Sequence, residues 1–291
     1  MAVYDYRPSS TLYHYCSAGG FEGITKNGSI WLSDLQFAND PKELQLAAII
    51  ENVMKELIRQ ERSPKVRVTY ASMKLQLERL RCRLWMYSFS LSQRADQLPM
   101  WQEYTDRGRG LCIGFKATAF DHMSLRIQRV KYVKPEHLES LHSAVAAIAA
   151  PFIGKENDFA VMLEPMTAVL GLITTTKDDT WQHEEEVRLI FSSMSRPSLD
   201  GRVNIPVELL RDGSETYPRD PLFRSRDGME VPYFSKQFGK YRAGRWDPNG
   251  AIDSVIIGPN NPRTVADVSD ELRGKGYRGV TVTRSRCSFR P

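Results

Sequence analysis

Glu184 and Glu186 stand two apart in the stretch WQHEEEVRLI, with Arg188 two residues further on. On a strand that spacing puts both carboxylates and the guanidinium on one face, with Glu185 opposite. Two carboxylates beside one cation are driven to different proton affinities. That suits one group that steadies a developing positive charge and one that orients or deprotonates an acceptor. The same residues also read as a wetted acidic strand edge with an arginine partner, and such surface pairs contribute little. Far upstream, His14 lies between Tyr13 and Tyr15 in LYHYC, on what the pattern predicts to be the first strand. His183 reads as a surface residue, and no second histidine stands at metal-ligand spacing, so no metal site is expected.

Other motifs have plainer readings. In NDPKE, Asp40 can cap a helix, Pro41 suits its first position and Glu43 completes a capping box, which leaves Asn39 over. IIGPNNP joins a strand to a helix start, and with one glycine and no Lys-Ser/Thr it is a turn rather than a P-loop. PYFSKQFGKYRAGRW interleaves Lys236, Lys240, Arg242 and Arg245 with Phe234, Phe238, Tyr241 and Trp246. Such a mixture can stack bases and track phosphates, or it can be a loop whose rings fill the core while its charges stay wet. Cys16 follows His14 by two residues, but nothing else supports a thiol nucleophile, and no GxSxG is present.

The elements that must position these groups are read from periodicity. Residues 11–16 and 29–33 are predicted strands, separated by FEGITKNG, a short helix ended by Asn27-Gly28. A helix from Pro41 to about Arg62 carries Leu46, Ile50, Val53, Met54, Leu57 and Ile58 at helical spacing, and a second is expected over Tyr70–Arg83. LWMYSFSLS alternates Trp85, Tyr87, Phe89 and Leu91 against Met86, Ser88, Ser90 and Ser92, a strand with one small polar face. MWQEYTDRGRG is a short helix or turn, and LCIGF and SLRIQRVKYV are strands. Residues 136–175 read as mostly helical with a break near Pro151–Gly154, and residues 185–191 as a strand. Segment 195–250 reads as long loops with brief strands at RVNIPV and MEVPYF. A strand at AIDSVIIG, a helix opened by Asn261 and Pro262, and a strand at RGVTVTRS follow. The expectation is one α+β domain over residues 1–291. It has a mixed, mainly antiparallel sheet core, helical insertions at about 41–83 and 136–175, and a loop-rich segment at 195–250.

The chain has 291 residues, 41% hydrophobic and 26% charged, which is enough to bury a sizeable core. A formal charge of +5 favours an anionic partner. Cys16, Cys82, Cys112 and Cys287 are scattered without a CxxC pair and read as reduced thiols of a cytoplasmic protein. No signal-like apolar segment opens the sequence and no stretch suits a membrane span, so no membrane partner is expected.

Taken together, LYHYCS, IWLSDLQFANDPKE, FSLSQRADQLPMWQEYTDRGRGLCIGF, the set Trp181, Glu184, Glu186 and Arg188, and SVIIGP resemble an uncharacterised bacterial family known as a domain of unknown function. Some of that family's relatives are associated with phage defence or toxin-like roles, which would imply an antitoxin or immunity partner. The order of a His-bearing strand, a helix-turn, a second strand, a Ser-rich strand and a late Glu strand is more distantly similar to ADP-ribosyltransferases. That resemblance implies an NAD-dependent ADP-ribosyltransferase or NAD glycohydrolase of the same fold, using NAD as substrate and no metal. It implies that Glu186 supports attack on the anomeric carbon, with Glu184 beside it, and that His14 bonds the ribose of NAD. SFSLS, with Ser90, resembles the Ser-x-Ser strand of the arginine-modifying branch, and EEE contains its Glu-x-Glu; that branch normally begins with arginine rather than histidine. Tyr15, Trp31, Phe89 or Trp101 would supply the nicotinamide-stacking surface, and Arg188 the cation of the NAD site. The acceptor would be a protein, a nucleic acid or water. The alternatives are a nucleotide- or nucleic-acid-binding module without catalysis, and a metal-independent nuclease with His14 and Glu186 as acid and base.

Overall fold

The computed structural model describes residues 6–38, 45–81, 84–121, 123, 125–134, 139–198, 201–206, 221–226, 228–242 and 245–290. Its elements begin with β1 (Leu12–Cys16), α1 (Ala18–Asn27), β2 (Ser29–Asp34), α2 (Gln45–Gln60), α3 (Pro64–Arg81), β3 (Leu84–Ser92), α4 (Leu98–Tyr104) and β4 (Leu111–Phe115). They continue with β5 (Arg126–Arg129), β6 (Lys131–Val133), α5 (Glu139–Ala149), α6 (Phe159–Thr174), β7 (Thr176–Asp178), β8 (Glu186–Ser198) and β9 (Gly201–Pro206). The last are β10 (Leu222–Arg226), β11 (Met229–Gln237), β12 (Lys240–Arg242), β13 (Arg245–Asp247), β14 (Ile252–Ile257), α7 (Val265–Gly274) and β15 (Thr281–Arg284). This is a mixed α+β fold built on a mainly antiparallel sheet.

The sheet is forked at β3. Along one edge β3 pairs with β8 over its whole length, from Leu84 opposite Met194 to Ser92 opposite Glu186. On its other edge β3 meets β2 at Tyr87 and Ser88, and then β1 only at Ser92. Two branches therefore leave one strand: β2, β11 and β10 on one side, and β1, β4, β14 and β15 on the other. Between the attachment points at Ser88 and Ser92 the edge of β3 runs for about 13 Å at ~3.3 Å per residue. Helix α1 links the two branches. Ser17 caps its first turn by accepting from the Gly20 amide, and Gly28 ends it in the left-handed region at φ 59°.

The alternation on β3 sets which face is core. Tyr87, Phe89 and Leu91 pack with Leu12, Phe115, Leu189 and Phe234 in the main apolar cluster. A second cluster joins α2, α3, α5 and α6 through Ile50, Met54, Tyr70, Met73, Val145 and Val169. The helices expected as separate insertions thus bury their stripes against one another. Helix α3 begins at Pro64, six residues before the expected Tyr70, because a proline suits a first helical position. The strand read from LWMYSFSLS appears with the same bounds, as β3 from Leu84 to Ser92.

Three further differences have local causes. SLRIQRVKYV divides into β5 and β6 at Val130, where the backbone changes partners: the Val130 amide donates to Glu186 O (2.9 Å) and the Lys131 amide to Thr175 O (2.7 Å). Helix α7 starts at Val265 behind a Thr264–Asp267 capping box, while Asn261 is buried and its amide donates to the Gly110 carbonyl (3.2 Å). Segment 195–250 holds more strand than expected, since β10, β12 and β13 find partners in β11 and in each other. Asn39, Asp40, Pro41, Glu43 and Cys82 lie outside the described residues.

Candidate functional site

A cleft of about 490 Å³ opens in the fork of β3. Its walls come from β1, α1, β2, β3, α4, β7, β8 and β10 and include His14, Trp31, Asp34, Ser88, Ser90, Ser92, Tyr104, Lys177, Glu184, Glu186 and Arg188.

The fork accounts for the histidine. Ser90 lies between the two attachment points, so no strand pairing is assigned to it on that edge. The His14 Nδ1 lies 2.9 Å from the Ser90 carbonyl, and its ring stacks on Phe89 with centroids 4.1 Å apart. A carbonyl only accepts, so Nδ1 carries the proton and the Nε2 lone pair is left as an acceptor. Burial lowers the His14 pKa to about 4, against a smaller opposing effect of the Ser90 hydrogen bond. A ring held neutral near pH 7 can accept a hydroxyl hydrogen bond but is a poor general acid. In the unfolded chain His14 titrates near 6.5, so between that pH and about 4 only the unfolded state gains the proton and stability falls. Urea titrations from pH 7 to 4 are expected to show a smaller acid loss for His14→Gln, whose amide can still donate to Ser90.

The carboxylates arrive by a kink rather than by strand alternation alone. Glu184 ends a 3₁₀ turn over Asp179–Glu184, Glu185 takes a left-handed conformation at φ 42°, and β8 begins at Glu186. The kink turns Glu184 and Glu186 inward, while Glu185 pairs with Arg94 at 2.6 Å. From there alternation governs: Val187, Leu189 and Phe191 enter the core and Arg188 follows Glu186 into the cleft.

Glu184, Glu186 and Arg188 are all buried, which overturns the reading of a wetted strand edge. Arg188 donates through Nε to Glu186 Oε1 (2.8 Å) and through Nη2 to Oε2 (2.9 Å). Its Nη1 donates to Thr174 O (2.6 Å), a carbonyl in the last turn of α6, where a cation is favoured. Lys177 on β7 bridges the carboxylates, 2.7 Å from Glu184 Oε2 and 3.1 Å from Glu186 Oε2. The Tyr104 hydroxyl donates to Glu184, and the Tyr132 hydroxyl accepts from the Glu186 amide at 2.8 Å. Two anions and two cations make a charge-balanced quartet. Burial opposes the Lys177 charge, but the two carboxylates outweigh it and raise its pKa. Burial raises the Glu186 pKa against the pull of Lys177, and the Ser90 hydroxyl adds a hydrogen bond to its carboxylate.

The aromatic candidates separate. Phe89 and Tyr15 border the cleft, but Phe89 is stacked on His14, and the Tyr15 hydroxyl is tied to Arg94 O (3.3 Å) and the Gln97 amide (3.0 Å). Trp31 is 38% exposed on the cleft wall. Trp101 is corrected: it is fully buried, donates through Nε1 to Asp96 (2.9 Å) and lies edge-on to Tyr15, so it offers no surface for stacking. Phe234 and Phe238 of the basic aromatic segment fill the core, and Lys236 lies over the Phe191 ring at 5.0 Å. Cys16 is buried with its thiol pKa pushed up to about 12 by burial, as befits an inert group.

Lys177, Tyr104, Tyr132, Asp34, Arg224 and Arg226 were not expected at the site. Asp34 is buried with one carboxylate oxygen bound to the Gln36 amide and the other without a hydrogen-bond partner. Gly19 and Gly23 line the cleft four residues apart on α1, and a Cβ at either would meet nothing within 4 Å. A glycine inside a helix is destabilising by about 0.5–1 kcal/mol relative to alanine, so Gly23→Ala is expected to raise the melting temperature, measured by calorimetry. Among the described residues no group of three His, Cys, Asp or Glu side chains is placed to hold a metal ion, and no helix is long and apolar enough to cross a membrane.

Residues 100–189 match a family described as Protein of unknown function (DUF2971). That stretch runs from α4 into β8, so it contains Tyr104, Lys177, Glu184, Glu186 and Arg188 and excludes His14, Trp31 and Ser90. No curated protein and no solved structure matches the chain.

Proposed function

We propose that the cleft binds NAD and that the chain is an NAD-dependent ADP-ribosyltransferase or NAD glycohydrolase. One observation carries the reading. A neutral imidazole, a serine-lined strand and a pair of buried carboxylates, far apart in sequence, border one cleft of about 490 Å³. That volume falls within the range of about 300–1,000 Å³ typical of small-molecule sites.

The roles follow from the donors and acceptors present. His14 Nε2 accepts from a ribose hydroxyl. Loss of nicotinamide leaves positive charge on the anomeric carbon, and the buried Glu186 supplies the opposing charge. Glu186 is already held by three charged donor contacts and by the neutral Ser90 hydroxyl. Contacts between two charged groups are the stronger ones, so the uncharged Ser90 is the partner a ribose hydroxyl displaces. Glu184, anchored by Tyr104 and Lys177, accepts the proton of the incoming acceptor hydroxyl.

A second reading, nucleotide binding without catalysis, is favoured by that same saturation of Glu186. Incubation with NAD separates the two. Chromatography is expected to show free nicotinamide together with ADP-ribose, free or attached to a component of a cell lysate. NAD that binds without nicotinamide release favours the second reading. Neither binding nor release at millimolar NAD overturns both.

A further inference from the structure

We propose that Arg224 and Arg226 form a subsite for the diphosphate of a nucleotide at the β10 wall of the cleft. The inference rests on the cleft taking a nucleotide, but not on its cleaving one.

Strand β10 places Arg224 and Arg226 two residues apart on one face, and both border the cleft. Their spacing along the strand is about 7 Å, which lets two guanidinium groups engage neighbouring phosphates. The cross-strand partners of Arg224 and Arg226 on β11 are Val231 and Met229, whereas Glu230 pairs with Ser225 and therefore projects from the opposite face. Arg224 Nη2 donates to Ser33 Oγ (2.9 Å), and its guanidinium lies 5.7 Å from the centre of the Trp31 ring, itself in contact with Tyr233. Arg224 Nε is buried and has no hydrogen-bond partner. Among the described residues no carboxylate pairs with Arg224.

The contrast with Arg188 matters. Arg188 sits in a charge-balanced quartet, whereas Arg224 is a half-buried cation beside a second cation, supported by a hydroxyl and an aromatic wall. A buried donor without a partner is destabilising unless a ligand completes it. The planar, forked guanidinium suits phosphate oxygens, and the Trp31 and Ser33 contacts hold it ready. Trp31 is thereby assigned to orienting Arg224.

Titration calorimetry of the full chain at low salt tests this with inorganic pyrophosphate, ADP and nicotinamide riboside as probes. Arg224→Gln is expected to weaken pyrophosphate and ADP at least tenfold, to leave any nicotinamide riboside binding unchanged and to preserve the melting temperature. Arg226→Gln, at an exposed position, is expected to act in the same direction with the fold intact. Arg224→Lys keeps the charge but loses the fork and is expected to fall between. Wild-type protein that binds neither pyrophosphate nor ADP, or variants that bind them as well as wild type, would overturn the subsite. If pyrophosphate binds in an Arg224-dependent way but NAD is not cleaved, the subsite stands and the glycosyl-transfer reading fails. If NAD is cleaved with an unchanged KM in Arg224→Gln, the reverse holds.

Discussion

Glu186→Gln is expected to reduce nicotinamide release from NAD by a factor of about a hundred or more, the scale seen when one preorganised charge-stabilising group is removed. Glutamine keeps the shape and one acceptor oxygen but brings no charge to oppose that of the anomeric carbon. Lost activity alone would be ambiguous, because neutralising Glu186 also takes the paired carboxylate from Arg188 and leaves Lys177 with Glu184. Breaking a buried ion pair from one side costs about 3–5 kcal/mol, so the variant can lose activity by losing its fold. The double variant Glu186→Gln, Lys177→Met restores the charge balance of the cluster, with one cation, Arg188, and one carboxylate, Glu184. Its melting temperature is expected to recover towards wild type while nicotinamide release stays low. Recovery of activity together with stability would assign Glu186 a purely structural role.

The second large effect is on folding. Arg188→Met is expected to destabilise the protein by about 3–5 kcal/mol, lowering the melting temperature by roughly 10 °C. The side chain is fully buried, and it closes three hydrogen bonds at once: two to Glu186 and one to the α6 carbonyl of Thr174. Without it, two carboxylates share one ammonium. Glu186 already has a raised pKa from burial, and loss of Arg188 raises it further. A carboxyl whose folded pKa lies above its unfolded value favours the folded state at low pH, and that contribution disappears as pH rises through the folded pKa. The gap between Arg188→Met and wild type is therefore expected to narrow from pH 7 to pH 5 in denaturant titrations. Arg188→Lys is expected to rescue little, because one ammonium cannot reach both carboxylate oxygens and Thr174 in the same geometry.

Much of the framework was legible in residue pattern. The alternation of LWMYSFSLS defined β3 and separated its core face from its serine face, because a half-buried strand imposes period two. The pairing of Glu186 with Arg188 followed from the same rule. Glu184 was placed beside them by the same spacing, but it reaches the cleft through the left-handed Glu185, and nothing in EEE marks that backbone turn. Lys177 and Tyr104 were illegible for another reason: each is brought in by a separate short element, and only the tertiary fold sets that meeting. Trp101 misled because residue type alone does not separate a stacking aromatic from a core one, and its indole is anchored to Asp96 inside the protein. Arg224 and Arg226 lay in a segment read as loop, since charged residues at alternate positions resemble a solvated turn until β11 supplies the partner strand.

The most direct measurement is a crystal structure of the Glu186→Gln protein soaked with NAD, which slows turnover and keeps the dinucleotide whole. The account predicts the nicotinamide ribose between His14 Nε2 and residue 186, with the diphosphate against Arg224 and Arg226. NAD bound on another face, or a cleft without density at saturating NAD in crystals that keep the fold, would contradict it.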